Sequence, residues 1–234
     1  MNRLRALLLP ALLLGLLSAL PQAAAGQTGD AFQAIVLKAK NDVTRRPPNG
    51  QWEKAVPLDP LGAGHQIRTG AASFTLIRFA DETKLVIREK SIVEISGDPE
   101  ARTVNTNKGG LAFDVKKQDQ DEFRFTSPTS VASIRGTTGN WNVLEDGTSE
   151  IAILTGSAAL TNLQTGASQN VGAGQLGTSD AQGNLGVRNL TPFEQRNIDT
   201  ALGGQPTQTR TLRIIGRDAN GQRTVITIEW EEQQ

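Results

Sequence analysis

Few residues of this chain have side chains that could carry out catalysis. Its 234 residues include one histidine, His65, and no cysteine. A catalytic triad, a zinc site or a thiol nucleophile needs several such residues acting together. His65 stands in a glycine-rich segment with no partner near it in sequence. We therefore expect an incidental surface histidine.

The acidic residues could support a two-carboxylate hydrolase or a calcium site, and neither pattern is complete. A glycosidase needs two carboxylates at a defined separation, and no such pair stands out here. Asp119, Asp121 and Glu122 could bind calcium, but they supply only part of a calcium loop. Aspartate in a turn usually accepts hydrogen bonds from local backbone N–H groups. The sequence predicts no metal, no cofactor and no enzyme activity, and a weak hydrolase is the least supported alternative.

The three tryptophans could contact a ligand or fill the core. A β-domain that binds glycans often presents such rings as stacking platforms, whereas most large aromatic side chains pack in the interior. Trp141 lies within an apolar strand pattern, and Trp52 stands in a polar context. Trp230 lies near the C-terminus. We predict Trp52 and Trp230 as candidate contacts with a protein partner or a glycan.

The first 25 residues have the pattern of a secretory signal peptide. Arg3 and Arg5 precede an apolar run over residues 7–20, and small residues lead to a predicted cleavage after Ala25. The run is interrupted by proline and glycine, so it is too short for a stable membrane span. Without cysteine there is no lipid attachment site. Residues 1–25 thus predict export as a soluble periplasmic protein without a membrane anchor, with secretion as the alternative.

The charge of the mature chain argues against nucleic acid as a partner. The full chain carries 24 Lys+Arg and 24 Asp+Glu, and removal of the two leader arginines leaves 22 against 24. Basic and acidic residues are interspersed, whereas a nucleic-acid-binding surface would be expected to show a basic patch. No later apolar stretch reaches the roughly 18 residues that a membrane helix needs.

The apolar residues predict an all-β domain. Segments of about five residues recur every 8–12 residues, with glycine-containing turns between them, for example at 107–109. The predicted strands are 73–79, 84–88, 91–95, 110–115, 122–126, 139–144, 149–154 and 157–162.

The C-terminal part differs from this pattern. Residues 177–190 are rich in glycine and polar residues and are predicted to be a linker after a main domain over 30–176. Thr191, proline at the first helical position and Glu194 then form a helix-start signal. A β-hairpin is predicted near the end, so residues 191–234 form a helix and hairpin appendage. An isolated hairpin is marginally stable, so we expect it to dock on the main domain.

Two stretches within residues 30–176 resemble the FecR domain family. The first runs from Leu61 through Gly70 to Ser73, with Trp52 upstream of it. The second, more specific stretch is Phe123–Thr137, which resembles the family's hallmark of a proline turn followed by Arg-Gly-Thr. Its predicted motif residues, together with Gly70, are Ser127, Pro128, Arg135, Gly136 and Thr137.

The resemblance implies a FecR-like β-sandwich or a solenoid-like stack of short strands. Arg135 is expected to act as a structural hydrogen-bond hub rather than as a ligand contact. Two positions depart from the family pattern: Asp81-Glu82-Thr83 replaces the usual Asp-Gly-Ser turn, and Gly139 stands where an aromatic commonly follows.

The regulators that give the family its name also carry a cytoplasmic anti-sigma segment and a membrane span, and neither is expected in this chain. The resemblance therefore implies a stand-alone binding or sensing module with an envelope protein as its partner. The C-terminal helix and hairpin are predicted to contribute to the contact face. Glycan or peptidoglycan binding is the alternative.

Overall fold

The computed structural model describes the backbone of residues 33–97, 101–117, 122–203, 207–217 and 223–233. Side chains are described up to residue 203, except at residue 122. Within these ranges β-strands dominate and a single α-helix follows the main group of strands, so the all-β prediction is confirmed.

The strands form a 17-stranded hydrogen-bonded sheet that folds over into two layers, named here sheet A and sheet B. Both layers contain part of one long strand, β9 (Ala101–Asp114). The other strands of sheet A are β1 (Ala34–Lys40), β4 (Pro60–Leu61), β6 (Phe74–Phe79), β7 (Lys84–Ile87), β12 (Thr138–Val143), β13 (Ser149–Thr155), β16 (Gln175–Ser179) and β17 (Leu185–Asn189). Those of sheet B are β2 (Val43–Arg46), β3 (Glu53–Lys54), β5 (Gln66–Thr69), β8 (Ile92–Ser96), β10 (Glu122–Thr126), β11 (Ser130–Ile134), β14 (Ser157–Asn162) and β15 (Ser168–Gly172).

Each layer is an almost entirely antiparallel sheet. The spatial order is β4-β1-β6-β7-β9-β12-β13-β16-β17 in sheet A. In sheet B it is β3-β2-β5-β8-β9-β10-β11-β14-β15, and only the β9–β10 pair of this layer is parallel. The prediction offered a β-sandwich or a solenoid-like stack, and the structure has the sandwich arrangement.

Strand β9 crosses from sheet B to sheet A at Gly109. Its first half pairs with β8 in sheet B, and its second half pairs with β7 and β12 in sheet A. A Cβ atom at Gly109 would lie 2.6 Å from the backbone Cα of Ser91, so only glycine fits at the crossing. The turn predicted at 107–109 is wrong, because the chain changes layer there without reversing its direction.

The core lies between the two sheets. Aromatic side chains contact each other across the layers, with ring centroids 5.4 Å apart for Phe79 and Phe123 and 4.7 Å for Phe113 and Phe125. Trp141 of sheet A stacks on Phe125 of sheet B at 6.2 Å and is fully buried. The inward-facing side chains of the other strands join these rings in one buried cluster, and such burial is the main source of stability in a sandwich.

Residues 130–162 form a long hairpin that bends over one edge of the sandwich. Its inner part pairs β12 with β13 in sheet A, and its outer part pairs β11 with β14 in sheet B. The chain changes sheet at Gly136 on the way out and at Gly156 on the way back. We name this side of the sandwich the bend edge. The opposite side, where β10 turns into β11 and β12 turns into β13, is named the turn edge.

A buried ion pair joins the two sheets at the bend edge. Arg102 of sheet B lies 2.8 Å from the carboxylate of Asp81, which belongs to the β6–β7 turn of sheet A. The Asp81 carboxylate also accepts hydrogen bonds from the backbone N–H and the hydroxyl of Thr83. Removal of one partner from a buried ion pair leaves an uncompensated charge, so loss of either Arg102 or Asp81 would weaken the contact between the two layers.

The predicted linker at 177–190 is wrong, because most of it is part of sheet A. Strand β16 pairs with β13, and β17 pairs with β16. The carboxylate of Asp180 closes the connecting turn by accepting hydrogen bonds from the backbone N–H groups of Gln182 and Asn184. The composition is typical of a loop, but the pairing with β13 decides the structure. The sandwich therefore extends to Asn189 rather than ending at residue 176.

Helix α1 (Pro192–Leu202) begins as the sequence predicts. The Thr191 hydroxyl accepts a hydrogen bond from the backbone N–H of Glu194, and the Glu194 carboxylate accepts one from the backbone N–H of Thr191. Gly203 is the C-cap. This reciprocal capping box satisfies two N–H groups that the helix itself leaves without partners.

The helix packs on the outer face of sheet A. Ile198 is 2% exposed and forms a small apolar cluster with Ala152, Leu176 and Leu190. Because the inward neighbours of Ala152 on β13 belong to the main core, this cluster lies on the other side of the sheet. Helix α1 is thus attached directly to the sandwich without an intervening linker.

Several predicted features involve residues outside the described ranges. The signal peptide over 1–25 lies outside them, as do Asp119 and Asp121. The C-terminal hairpin is confirmed at the backbone, where β18 (Thr207–Arg217) pairs antiparallel with β19 (Arg223–Gln233). Its docking on the main domain stays a prediction. Among the described residues, no helix has the length and apolar character required to cross a membrane.

Candidate protein-binding surface

The proline turn of the hallmark stretch, residues 127–130, forms a rigid turn between β10 and β11. The Ser127 hydroxyl accepts hydrogen bonds from the backbone N–H groups of Thr129 at 3.1 Å and Ser130 at 2.9 Å. The hydroxyl of Ser149, on β13, donates to the same oxygen at 2.6 Å. Thr129 in turn donates to the carbonyl of Gly147 at 2.9 Å. This network ties the Ser127 turn to the neighbouring β12–β13 turn.

The Arg-Gly-Thr part of the hallmark stretch, residues 135–137, forms the bend at the other end of β11. Gly136 has a φ of 61°, and Gly156 on the returning strand has a φ of 84°. A Cβ atom at Gly156 would lie 2.6 Å from the Gly136 carbonyl oxygen, so the two bends are in close backbone contact. The buried Thr137 hydroxyl donates to the carbonyl of Ser157 at 2.9 Å. These contacts bring the two bends together at the bend edge.

Arg135 and Gly70 complete the motif residues. Arg135 is exposed at the start of the bend, and its role as a hydrogen-bond hub stays a prediction. Gly70 lies at the bend between β5 and β6, where its N–H donates to the carbonyl of Asp42 at 2.8 Å. A Cβ atom there would meet the Asp42 side chain at 2.5 Å. The backbone at Gly70 therefore lies too close to Asp42 to leave room for a larger side chain.

Three exposed apolar residues lie on adjacent turns of the turn edge. Pro128 is exposed next to Thr129, whose carbonyl accepts a hydrogen bond from the backbone N–H of Leu163 at 2.9 Å. Leu163, in the turn after β14, is 55% exposed, and Leu144, in the β12–β13 turn, is 43% exposed. We name Pro128, Leu144 and Leu163 the turn-edge patch. Apolar side chains grouped on a polar rim are typical of protein-binding surfaces.

Charged residues border this patch. Glu145 follows Leu144 and forms an exposed ion pair with Lys108 at 2.9 Å. The hydrogen bond from Lys108 and its charge hold the pKa of Glu145 below its usual value. The carboxylate therefore stays ionised at neutral pH and marks a polar rim beside the apolar side chains.

The three tryptophans have different environments. Trp141 is fully buried in the core, so it is excluded as a surface platform. The side chain of Trp230 lies outside the described ones. Trp52 is partly buried on the outer face of sheet B, where the guanidinium carbons of Arg46 and Arg68 lie 5.0 and 4.6 Å from its ring centroid. Of the predicted contact residues, Trp52 is the one with a described site around it.

His65 is at the limit of burial rather than freely exposed, which corrects the expectation of a surface histidine. Its side chain is 9% exposed, and its Nδ1 accepts a hydrogen bond from the backbone N–H of Gly62 at 3.1 Å. Asp146 accepts from the backbone N–H of Thr148 at 2.9 Å, which confirms the expected local role of aspartate in turns. Within the described part of the chain, no group of three His, Cys, Asp or Glu residues is arranged to hold a metal ion.

An exposed ion pair connects helix α1 to β17. Arg188 donates two hydrogen bonds to the Glu194 carboxylate, at 3.0 and 2.6 Å. Together with the bonds from Thr191, Arg188 holds the pKa of Glu194 at about 2, well below its usual value. The same contact raises the pKa of Arg188. The Glu194 carboxylate therefore links the N-terminal cap of helix α1 to strand β17.

Several surface residues were missed by sequence reasoning. Arg46 and Arg68 are brought to Trp52 by the pairing of β2 with β5. The available signal was the alternation of side chains along each strand. Because Val43 and Ile67 face the core, Arg46 and Arg68 must face outward. Leu144 was included in the predicted strand 139–144, whereas the strand ends at Val143 and leaves Leu144 exposed in the following turn. Leu163 gave no signal, because a single leucine in a turn has no periodicity.

The sequence profile of the FecR protein family matches residues 65–159. No curated protein matches the sequence. Two crystal structures of a candidate anti-sigma factor from Parabacteroides distasonis ATCC 8503 are similar in fold, each with a TM-score of 0.48 at 13% identity. The similarity covers 53% of this chain and 59% of that one. At this level it supports no functional assignment.

Proposed function

We propose that this chain is a non-catalytic regulatory module of the bacterial cell envelope that acts by binding another protein, because residues 65–159 match the FecR family. The proposed location is the periplasm, reached through the leader over residues 1–25.

The observation that carries this proposal is the turn-edge patch. Its three turns are fixed to one another by hydrogen bonds from Thr129, Ser149 and Leu163. A surface that is already rigid loses little conformational entropy on binding. Pro128, Leu144 and Leu163 therefore offer an apolar contact at low entropic cost, and the neighbouring charges give the polar rim of an ordinary interface.

Glycan binding is the weaker alternative. It depends on exposed aromatic rings, and the Trp52 ring is only partly exposed. That ring already carries two arginine contacts. A sugar that stacked on it would compete with these contacts, so binding of a neutral glycan at Trp52 is disfavoured.

Site-specific photo-crosslinking tests the proposal directly. A photoreactive phenylalanine analogue is placed at Leu163 in the full-length protein and activated in intact cells. Leu58 is the matched control position, because it is 54% exposed and lies outside the patch. We expect a discrete adduct with one protein from Leu163 and none from Leu58. Equal labelling at both positions, or no adduct, contradicts the proposal.

A pair of double variants tests whether the patch itself makes the contact. L144S/L163S removes the apolar side chains of the patch, and V56S/L58S removes two comparably exposed ones elsewhere. Capture of the crosslinked partner by the purified mature protein should fall at least tenfold in the first variant and stay unchanged in the second. Matching circular dichroism spectra exclude misfolding as the cause.

The C-terminal appendage needs a point substitution rather than a deletion. Deletion of residues 187–234 would remove Leu190 and Ile198, which cover Ala152 and Leu176 on sheet A. Phe193 is 65% exposed on helix α1 and can be changed without disturbing that cluster. If F193S retains partner capture, Phe193 has no part in the contact. If it loses capture, the interface extends to helix α1.

A further inference from the structure

The outer face of sheet B carries a second surface feature, built around Trp52. Arg46 and Arg68 stack on its ring, and the register places both guanidiniums on the same face of the sheet as Trp52. We name Trp52, Arg46 and Arg68 the arginine platform. It lies on a face of the sandwich, away from the turn-edge patch.

The stacking holds the arginine side chains in place. A guanidinium over an aromatic ring is attracted by the ring quadrupole, and it keeps its N–H groups directed outward along its edges. Arg46 donates one hydrogen bond to Gln66 at 2.5 Å, and Gln66 in turn donates to Glu94 at 2.7 Å. Among the described residues, no carboxylate lies in ion-pair contact with Arg68, which is exposed.

The local charge on this face is positive. Lys54 of β3 is in register with Thr44 of β2, and Thr44 is in register with Arg68 of β5. Lys54 therefore lies in the same row across the sheet as Arg68. With Arg46 this makes three cations, and the carboxylate that the described strand register places beside them, that of Glu94, is engaged by Gln66. A ligand with negative charge is the complementary partner.

The spacing of the two arginines matches an extended peptide. Arg68 is paired with Thr44, so Arg46 is its diagonal neighbour across the two strands. Diagonal neighbours on one face of an antiparallel pair lie about 7–8 Å apart. In an extended chain, side chains two residues apart lie on one side and are separated by about 6.6–6.8 Å. Two carboxylates in the pattern Glu-x-Glu would therefore reach one guanidinium each.

We infer that the arginine platform binds an extended acidic segment of a protein, with carboxylates two residues apart on Arg46 and Arg68. Guanidinium groups bind carboxylates through paired N–H donors, so the contact is specific for the planar anion. The inference does not depend on the proposed function, because it concerns a different surface and its test uses a synthetic ligand.

The test is an NMR titration of the mature protein with the peptide Ser-Glu-Ser-Glu-Ser. The chain has three tryptophans, and the W52F variant identifies the Trp52 indole N–H signal by its loss. We expect the Trp52 signal to move with peptide concentration while the signal of the buried Trp141 stays in place. The peptide with glutamine in place of glutamate should produce no shift. An absent Trp52 shift, or equal shifts with both peptides, overturns the inference.

Substitutions then separate this site from general charge attraction. R68Q should weaken peptide binding roughly tenfold, because it removes a charge-assisted contact. R68K should restore only part of the affinity, since lysine keeps the charge and loses the planar fork. R78Q is the control, because Arg78 lies on sheet A and pairs with Glu82. Equal weakening by R68Q and R78Q overturns the inference.

A uronic acid trisaccharide provides the comparison with a glycan. It presents carboxylates on a sugar chain instead of a peptide. If it moves the Trp52 signal and the acidic peptide does not, the site is a glycan site and the inference is wrong. If the peptide moves the signal and the trisaccharide does not, the inference is supported.

Discussion

The two ends of strand β11 are held in different ways. At the turn edge, the Ser127 hydroxyl gathers hydrogen bonds from two backbone N–H groups and from Ser149. At the bend edge, Gly136 and Gly156 are in backbone contact with too little space for a Cβ atom. The hallmark segment therefore joins a hydrogen-bonded turn to a sterically closed bend.

This difference predicts how each end tolerates change. A lost hydroxyl costs the net value of its hydrogen bonds, which is moderate because water competes for the same groups. An added methyl group at a closed bend must displace backbone, and the interior transmits this displacement. The bend edge is expected to be the more sensitive end, while the turn edge remains free to carry the exposed patch.

The largest effect is expected from G156A. The substitution combines a left-handed backbone with a Cβ atom 2.6 Å from the Gly136 carbonyl oxygen, and should lower the free energy of unfolding by at least about 3 kcal/mol. G166A is the matched control, because Gly166 has a similar φ of 70° with nothing within 4 Å of the added Cβ. It should cost about 1–2 kcal/mol. Equal losses in urea denaturation would show that the closed bend adds nothing to the backbone effect.

S127A should have a smaller effect at the other end. It leaves the backbone N–H groups of Thr129 and Ser130 without their acceptor, and we expect a loss of about 1–2 kcal/mol. The control is S168A, because Ser168 is exposed and takes part in a single hydroxyl bond with Thr161. Urea denaturation should find S168A within about 0.5 kcal/mol of wild type. A loss in S127A as large as in G156A would remove the distinction between the two ends.

E82G should produce a small gain at the bend edge. Glu82 has a φ of 68°, a left-handed conformation that favours glycine. Glycine removes the cost of a left-handed residue but loses the exposed ion pair with Arg78 and adds chain entropy, so we expect a net gain of roughly 0.5 kcal/mol. E82A loses the same ion pair without relieving the backbone. Thermal unfolding should therefore rank E82G above wild type and E82A below it.

Helix α1 adds a third kind of attachment, which depends on pH. The folded-state pKa of Glu194 is about 2, below the ordinary value of 4.5, so its contribution is present above pH 4.5 and is lost as the pH falls towards 2. Because the pair is exposed, the loss should stay below about 1 kcal/mol. In the E194Q variant, the free energy of unfolding should change less than in wild type between pH 5 and pH 2, the range that contains both pKa values. An identical profile for wild type and E194Q contradicts the assignment.

The sequence predicted those features that depend on neighbouring residues. The capping box of α1 involves Thr191 and Glu194, three positions apart, and the strand rhythm depends on alternation within short segments. Both are local patterns, and both are confirmed. The linker prediction failed because β16 and β17 are stabilised by pairing that begins with β13, which lies far from them in the chain.

The candidate surfaces could be predicted only in part. Ser127 and Pro128 were found from the family resemblance, but the sequence did not place them beside Leu144 and Leu163. Trp52 was identified as a contact residue, while its two arginine neighbours were missed. In both cases the missing partners lie on other strands or turns.

The sequence by itself determined the all-β class, the FecR resemblance and the start of the helix, because these depend on residue types at short spacing. The tertiary structure decided that Gly136 meets Gly156 and that Arg46 and Arg68 meet at Trp52. It also decided that Leu144 and Leu163 flank the Pro128 turn. The physical reason is that strand register brings together residues far apart in the chain, and no local propensity carries that information.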